Sequence, residues 1–72
     1  MPHSFAIHTE FITLGQLIKA VGLISNGGEA KLFLSEADVT VNGEPDNRRG
    51  RKIRPGDEVV VNGESISVTA RS

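Results

Sequence analysis

At Val39 the apolar residues of this chain change their spacing, and that change limits the folds open to it. From Leu14 to Ala37 they recur every three or four residues; from Val39 onward they alternate. A helical half followed by a strand half in one short chain calls for helices laid against one face of a sheet.

The helical half reads as two segments. Thr13-Leu14-Gly15-Gln16 has the spacing of a capping box, with the Thr hydroxyl placed to accept from the third helical amide and Gln16 to reach back. Leu14, Leu17, Ile18 and Val21 supply its apolar stripe, and Gly22 the left-handed stop. A second helix is predicted from Ser25-Asn26-Gly27-Gly28-Glu29, where Asn26 and Glu29 repeat the capping spacing and Ala30, Phe33, Leu34 and Ala37 form the stripe. With only Leu23 and Ile24 between them, the two helices are expected to be antiparallel and in direct contact.

The second half is punctuated by turn signals: Asn42-Gly43, Pro55-Gly56 and Asn62-Gly63. They separate three predicted strands, around Val39 and Val41, Val59 to Val61, and Ile66 and Val68, the last with Ser65, Ser67 and Thr69 outward. Arg54-Pro55-Gly56-Asp57 suits a tight turn, since proline presets the first central angle and glycine takes the positive one. Val-Asn-Gly-Glu occurs at 41–44 and again at 61–64, which we read as one turn solution used twice. Phe5, Ile7 and Thr9 alternate with polar or small residues and suggest a short N-terminal strand. The expected fold is α+β: two antiparallel helices packed on a small, mostly antiparallel β-sheet, in one domain spanning residues 1–72.

A chain of 72 residues buries only roughly 60% of the surface it exposes unfolded. It has no cysteine, which removes disulfides and thiolate metal sites and leaves packing as the source of stability. No apolar run approaches the ~20 residues a membrane span needs, and Met1-Pro2-His3-Ser4 lacks the basic and apolar parts of a signal peptide. The expectation is a soluble cytoplasmic protein with no membrane partner.

Charge is where this composition departs from the ordinary. Five of the eight Lys and Arg residues fall within Arg48-Arg49-Gly50-Arg51-Lys52-Ile53-Arg54, in a chain of formal net charge −1. Repulsion inside such a cluster costs stability unless an anion offsets it. The stretch from Glu44 to Lys52 has no apolar side chain apart from Pro45, so it is expected to be a solvent-facing loop or the polar end of a ribbon, either functional or mobile. It is read either as a solvated loop or as a phosphate grip. The four arginines favour the grip, because a guanidinium fork fits phosphate oxygens.

Asn26-Gly27-Gly28 is a second candidate, because amides at a helix start carry partial positive charge and glycines let a phosphate come close; the plainer reading is a flexible turn and cap. Lys31, one turn on, is placed to add charge to the same patch. The acidic residues are scattered, and His3 and His8 lack a third ligand in sequence. No nucleophile or nucleotide motif is present. The expectation is therefore no enzyme activity, no metal and no cofactor. The only aromatics, Phe5, Phe11 and Phe33, are too few for a surface of stacked bases, so nucleic-acid binding should rest on phosphate and shape.

The order helix, turn, helix, then Val39-Thr40-Val41-Asn42-Gly43 and Pro55-Gly56-Asp57-Glu58-Val59, preceded by Gly22-Leu23-Ile24-Ser25 and Ala30, resembles the S4 RNA-binding domain, or alpha-L motif. The likeness covers about residues 12–61 and is greatest to short stand-alone members of that family, which carry the domain without a catalytic partner. The resemblance implies binding of structured RNA, ribosomal or transfer RNA, on the face made by the two helices and the β loop, with ribosomal particles as a further partner and a monomeric protein. Its expected contacts are Ser25, Asn26, Gly27, Gly28 and Lys31 around the second helix, and Arg48, Arg49, Arg51, Lys52 and Arg54 on the loop. Many members carry an arginine where this chain has Gly27. Two other readings stay open: an adaptor whose arginine loop meets an acidic protein, and a ubiquitin-like sulfur carrier. The carrier is disfavoured by the ending Thr69-Ala70-Arg71-Ser72 in place of Gly-Gly.

Overall fold

Thr13 opens the first helix as its spacing predicts. In the computed structural model, which describes residues 3–71, its hydroxyl accepts from the amide of Gln16 at 3.2 Å while its own amide donates to Gln16 Oε1 at 3.0 Å. Helix α1 runs Leu14–Ala20 and buries Leu14, Leu17 and Ile18 completely. It ends in a Schellman closure: Gly22, at φ +85°, donates to the carbonyl of Lys19 at 3.1 Å, and Leu23 donates to that of Ile18 at 2.9 Å.

The connection to the second helix is longer than the two residues expected, because the closure takes up residues 21–23 and helical geometry resumes only at Gly27. A 3-10 turn, Gly27–Glu29, leads directly into α2, Ala30–Glu36. Ala30 and Leu34 are buried, with Phe33 and Ala37 half-buried beside them, as their spacing implies. Among the described residues the exposed large apolar side chain is Leu32, on the opposite face of α2.

The described residues form seven strands, β1 (His3–Ile7), β2 (Ile12–Thr13), β3 (Val39–Val41), β4 (Glu44–Pro45), β5 (Lys52–Ile53), β6 (Glu58–Val61) and β7 (Glu64–Ala70), of which β1, β3, β6 and β7 lie where alternation predicts them and the two-residue β2, β4 and β5 are additional. Five form a sheet in the order β1-β7-β6-β3-β4, while β2 and β5 make a separate antiparallel ribbon. The main sheet is antiparallel except that β1 runs parallel to β7, with Phe5 opposite Val68. Thr9 lies beyond β1, its hydroxyl donating to the carbonyl of Phe11 at 2.9 Å. Val39, Val41, Val59, Val61, Ile66 and Val68 face the helices and join Leu14, Leu17, Ile18 and Leu34 in one core. This is the α+β arrangement of two helices on a mostly antiparallel sheet.

The repeated Val-Asn-Gly-Glu is one turn solution used twice around the β3–β6 pair. Asn42 and Asn62 both take left-handed conformations, φ 52° and 50°. The amide of Asn42 donates to the carbonyl of Glu58 at 2.7 Å, and its Oδ1 accepts from the amide of Glu58 at 2.9 Å. Asn62 does the same with Asp38, at 2.8 and 2.9 Å. Asparagine suits both positions because its short amide tolerates the left-handed backbone and bonds locally.

Candidate nucleic-acid interface

The first amides of a helix have no partner within it. In α1 two of them are satisfied by the basic loop: Leu14 donates to the carbonyl of Arg51 at 2.8 Å and Gly15 to that of Arg49 at 2.9 Å. Glycine at position 15 permits this approach, since a Cβ there would lie 2.7 Å from Cγ of Arg49 and 3.3 Å from its carbonyl oxygen. The β2–β5 ribbon holds the same junction from the other side, pairing Ile12 with Ile53 and Thr13 with Lys52, and Ile53 is fully buried. A turn from Arg48 to Arg51 is closed by the amide of Arg51 donating to the carbonyl of Arg48 at 3.1 Å. The segment is thus a polar loop whose backbone is hydrogen-bonded to the start of α1.

Asp46 organises the cations inside the loop. Its Oδ1 accepts from the amide of Arg48 at 3.0 Å and from Nε of Arg48 at 3.2 Å, while its Oδ2 accepts from one terminal nitrogen each of Arg48 and Arg51, both at 2.9 Å. The hydrogen bonds of the Arg48 side chain and amide, then of Arg51, hold the Asp46 carboxyl well below the usual range against a smaller opposing effect of burial. The partners differ in exposure: the Asp46 side chain is 9% exposed and that of Arg48 71%.

The loop is a ridge between two grooves. On one side Arg49 and Gly50 face Lys19, Gln16 and Gly27 across a groove of about 450 Å3. On the other, Arg48, Arg51, Lys52 and Arg54 line a groove of about 740 Å3 with Asp57 at its edge. Asp57 lies below the usual carboxylate range, chiefly because it accepts from the amide of Arg54 at 2.8 Å, with Asn42 and the charges of Arg51 and Arg54 adding to this. Lys52 also stands over the Phe11 ring, 5.1 Å from its centroid.

The residues around α2 are dispersed by comparison. Gly27 reaches the first groove, whereas Gly28 and Lys31 line a separate hollow with Leu32 and Ser35. The amides of Ser25 and Asn26 donate to the carboxylate of Glu29, at 3.1 and 3.2 Å, and the Ser25 hydroxyl donates to the same oxygen. These bonds, that of the Ser25 hydroxyl foremost, hold the Glu29 carboxyl below its ordinary value. An internal anion thus occupies the turn before α2. Lys19 is the cation that sequence reasoning missed. Its only sequence signal is position: it falls four residues after Gly15, hence on the same helical face. Among the described residues its side chain and that of Arg49 make no hydrogen bond or ion pair.

The sequence profile of the S4 domain matches residues 5–69, nearly the whole described chain. This chain belongs to the S4 domain family. It is also similar to a Bacillus subtilis (strain 168) protein named "Probable ribosome maturation protein RlbA", with 56% identity over 63 residues, 88% of this chain and 89% of that one. In this S4 domain the loop cations are brought together by α1 and Asp46, and Gly27 lies across the first groove from Arg49. No helix among the described residues is long and apolar enough to cross a membrane.

Proposed function

We propose that this S4 domain is a non-catalytic, cytoplasmic RNA-binding protein that acts as a monomer on structured RNA, ribosomal or transfer RNA, and takes part in ribosome maturation. The observation that carries the reading is the basic loop hydrogen-bonded to the start of α1, with cations on both its flanks. A phosphate grip needs charges held in fixed places, and a ridge flanked by two grooves fits a folded RNA better than a single extended strand. The relative's name supports the ribosomal setting. The contacts we assign are Arg48, Arg49, Arg51, Lys52 and Arg54, joined by Lys19 and Gly27; Ser25, Asn26, Gly28 and Lys31 form the outer part of the surface.

The test is fluorescence anisotropy of labelled RNA hairpins over a salt series, comparing the native chain with a variant carrying Arg48→Ala, Arg49→Ala and Arg51→Ala. Each phosphate contact adds roughly 0.7 to 0.9 to the log–log salt slope. The native chain should show a steep slope and the variant should lose two to three contacts' worth, about 1.4 to 2.7. Absence of binding even at low salt would sink the RNA reading and leave the acidic protein partner as its successor.

A further inference from the structure

An acid set among cations that grip phosphate is costly to that task, because it neutralises part of their charge and repels the ligand. Asp46 is such an acid. Its amide donates to the carbonyl of Val39 at 3.1 Å, which ties it to β3. From there its carboxylate holds Nε and one terminal nitrogen of Arg48 and one terminal nitrogen of Arg51. A guanidinium has five N–H donors, so both arginines keep N–H groups, unused by Asp46, for a second acceptor.

Building on the RNA-binding reading above, we propose that Asp46 is a positioning residue, whose carboxylate indexes Arg48 and Arg51 to the sheet so that their free N–H groups meet RNA phosphates already aimed. Long side chains lose rotamer freedom on binding, and ordering them beforehand removes that cost from the association step. The contrast with Arg49 supports this assignment. The stem of the Arg49 side chain lies against Gly15 and its head makes no ion pair among the described residues, whereas Arg48 and Arg51 converge on Asp46.

The proposal makes a prediction of opposite sign to simple electrostatics. Removing a negative charge beside the groove should tighten RNA binding if charge alone matters. If Asp46 aims the arginines, Asp46→Ala should bind an RNA hairpin roughly tenfold more weakly, the scale of a lost charge-assisted hydrogen bond. Glu44→Gln, which removes the same charge from exposed β4, should bind as tightly as the native chain or more so. The deciding arm repeats Asp46→Ala in a chain already carrying Arg48→Ala and Arg51→Ala. There the part of the loss carried by those side chains should vanish, leaving at most the small effect of the carboxylate's bond to the Arg48 backbone amide, whereas a general structural role would weaken binding equally in both backgrounds. Asp46→Asn, nearly isosteric, serves as the second variant, and thermal melts confirm folding of each chain.

Tighter binding by Asp46→Ala, or an equal loss in both backgrounds, would overturn the positioning role while leaving RNA binding intact. No salt-dependent binding by the native chain would overturn both.

Discussion

The amide of Gly15 donates to the carbonyl of Arg49 across 2.9 Å, and a Cβ at position 15 would stand 2.7 Å from Cγ of that arginine. Those two distances couple helix α1 to the basic loop. Alanine is the better helix former by about 0.8 to 1.0 kcal/mol, so Gly15→Ala should help the isolated helix while pushing Arg49 out of place. The expected outcome is a small change in melting temperature and an RNA salt slope lower by about 0.7 to 0.9, one contact. Anisotropy and calorimetry on the same sample check it; an unchanged slope would count against the coupling.

Lys19 and Lys31 offer a paired comparison. Lys19 faces Arg49 across the first groove, and Lys31 lines a separate hollow. Lys19→Ala should therefore lower the salt slope by about 0.7 to 0.9, and Lys31→Ala by less. The reverse ranking would move the interface toward α2.

Acid should destabilise the fold in a defined direction. Asp46 and Asp57 both have carboxyls held below the ordinary value, which for Asp is about 3.9. A depressed group contributes its stability fully above the unfolded value and loses it as pH falls toward the folded one. Urea midpoints should thus be nearly level from about pH 7 to about pH 5 and decline below about pH 4. Asp46→Asn should start lower and decline less; an identical acid limb would remove Asp46 from the account.

Asn42 tests the repeated turn. Its side chain accepts from the amide of Glu58 at 2.9 Å and donates to Oδ1 of Asp57 at 3.0 Å, from a backbone at φ 52°. Asn42→Ala loses both bonds and keeps a left-handed backbone that costs an ordinary residue about 1 to 2 kcal/mol. We expect a total near 2 kcal/mol, read as a fall in the denaturation midpoint. Asn42→Gly, free of the backbone cost, should lose less.

The features legible in the sequence were those whose partners lie within a few residues. Thr13 and Gln16 are three apart, so the spacing of their reciprocal cap can be read from the sequence. Asn-Gly turns need only a left-handed backbone, and alternation at Val39 and Val41 needs only a pleated strand with one buried face. The S4 likeness followed from the order of these local pieces. The loop was recognised as polar and basic, though not as fixed.

Tertiary structure decided the rest, because it rests on contacts whose partners are far apart in sequence. His3 is paired with Ile66 across nearly the whole chain, and Gly15 with Arg49 across a third of it or more. Neither pairing has a local pattern, since each becomes favourable only once the sheet and helices have closed around a shared core. The same closure put Lys19 opposite Arg49 and gave Lys31 to another hollow. Sequence by itself determined the two helices, the four longer strands and where the charge is concentrated, while the two-residue strands β2, β4 and β5 exist only through their pairing. Only the folded chain decided which charges face one groove, because facing is a property of distance in space.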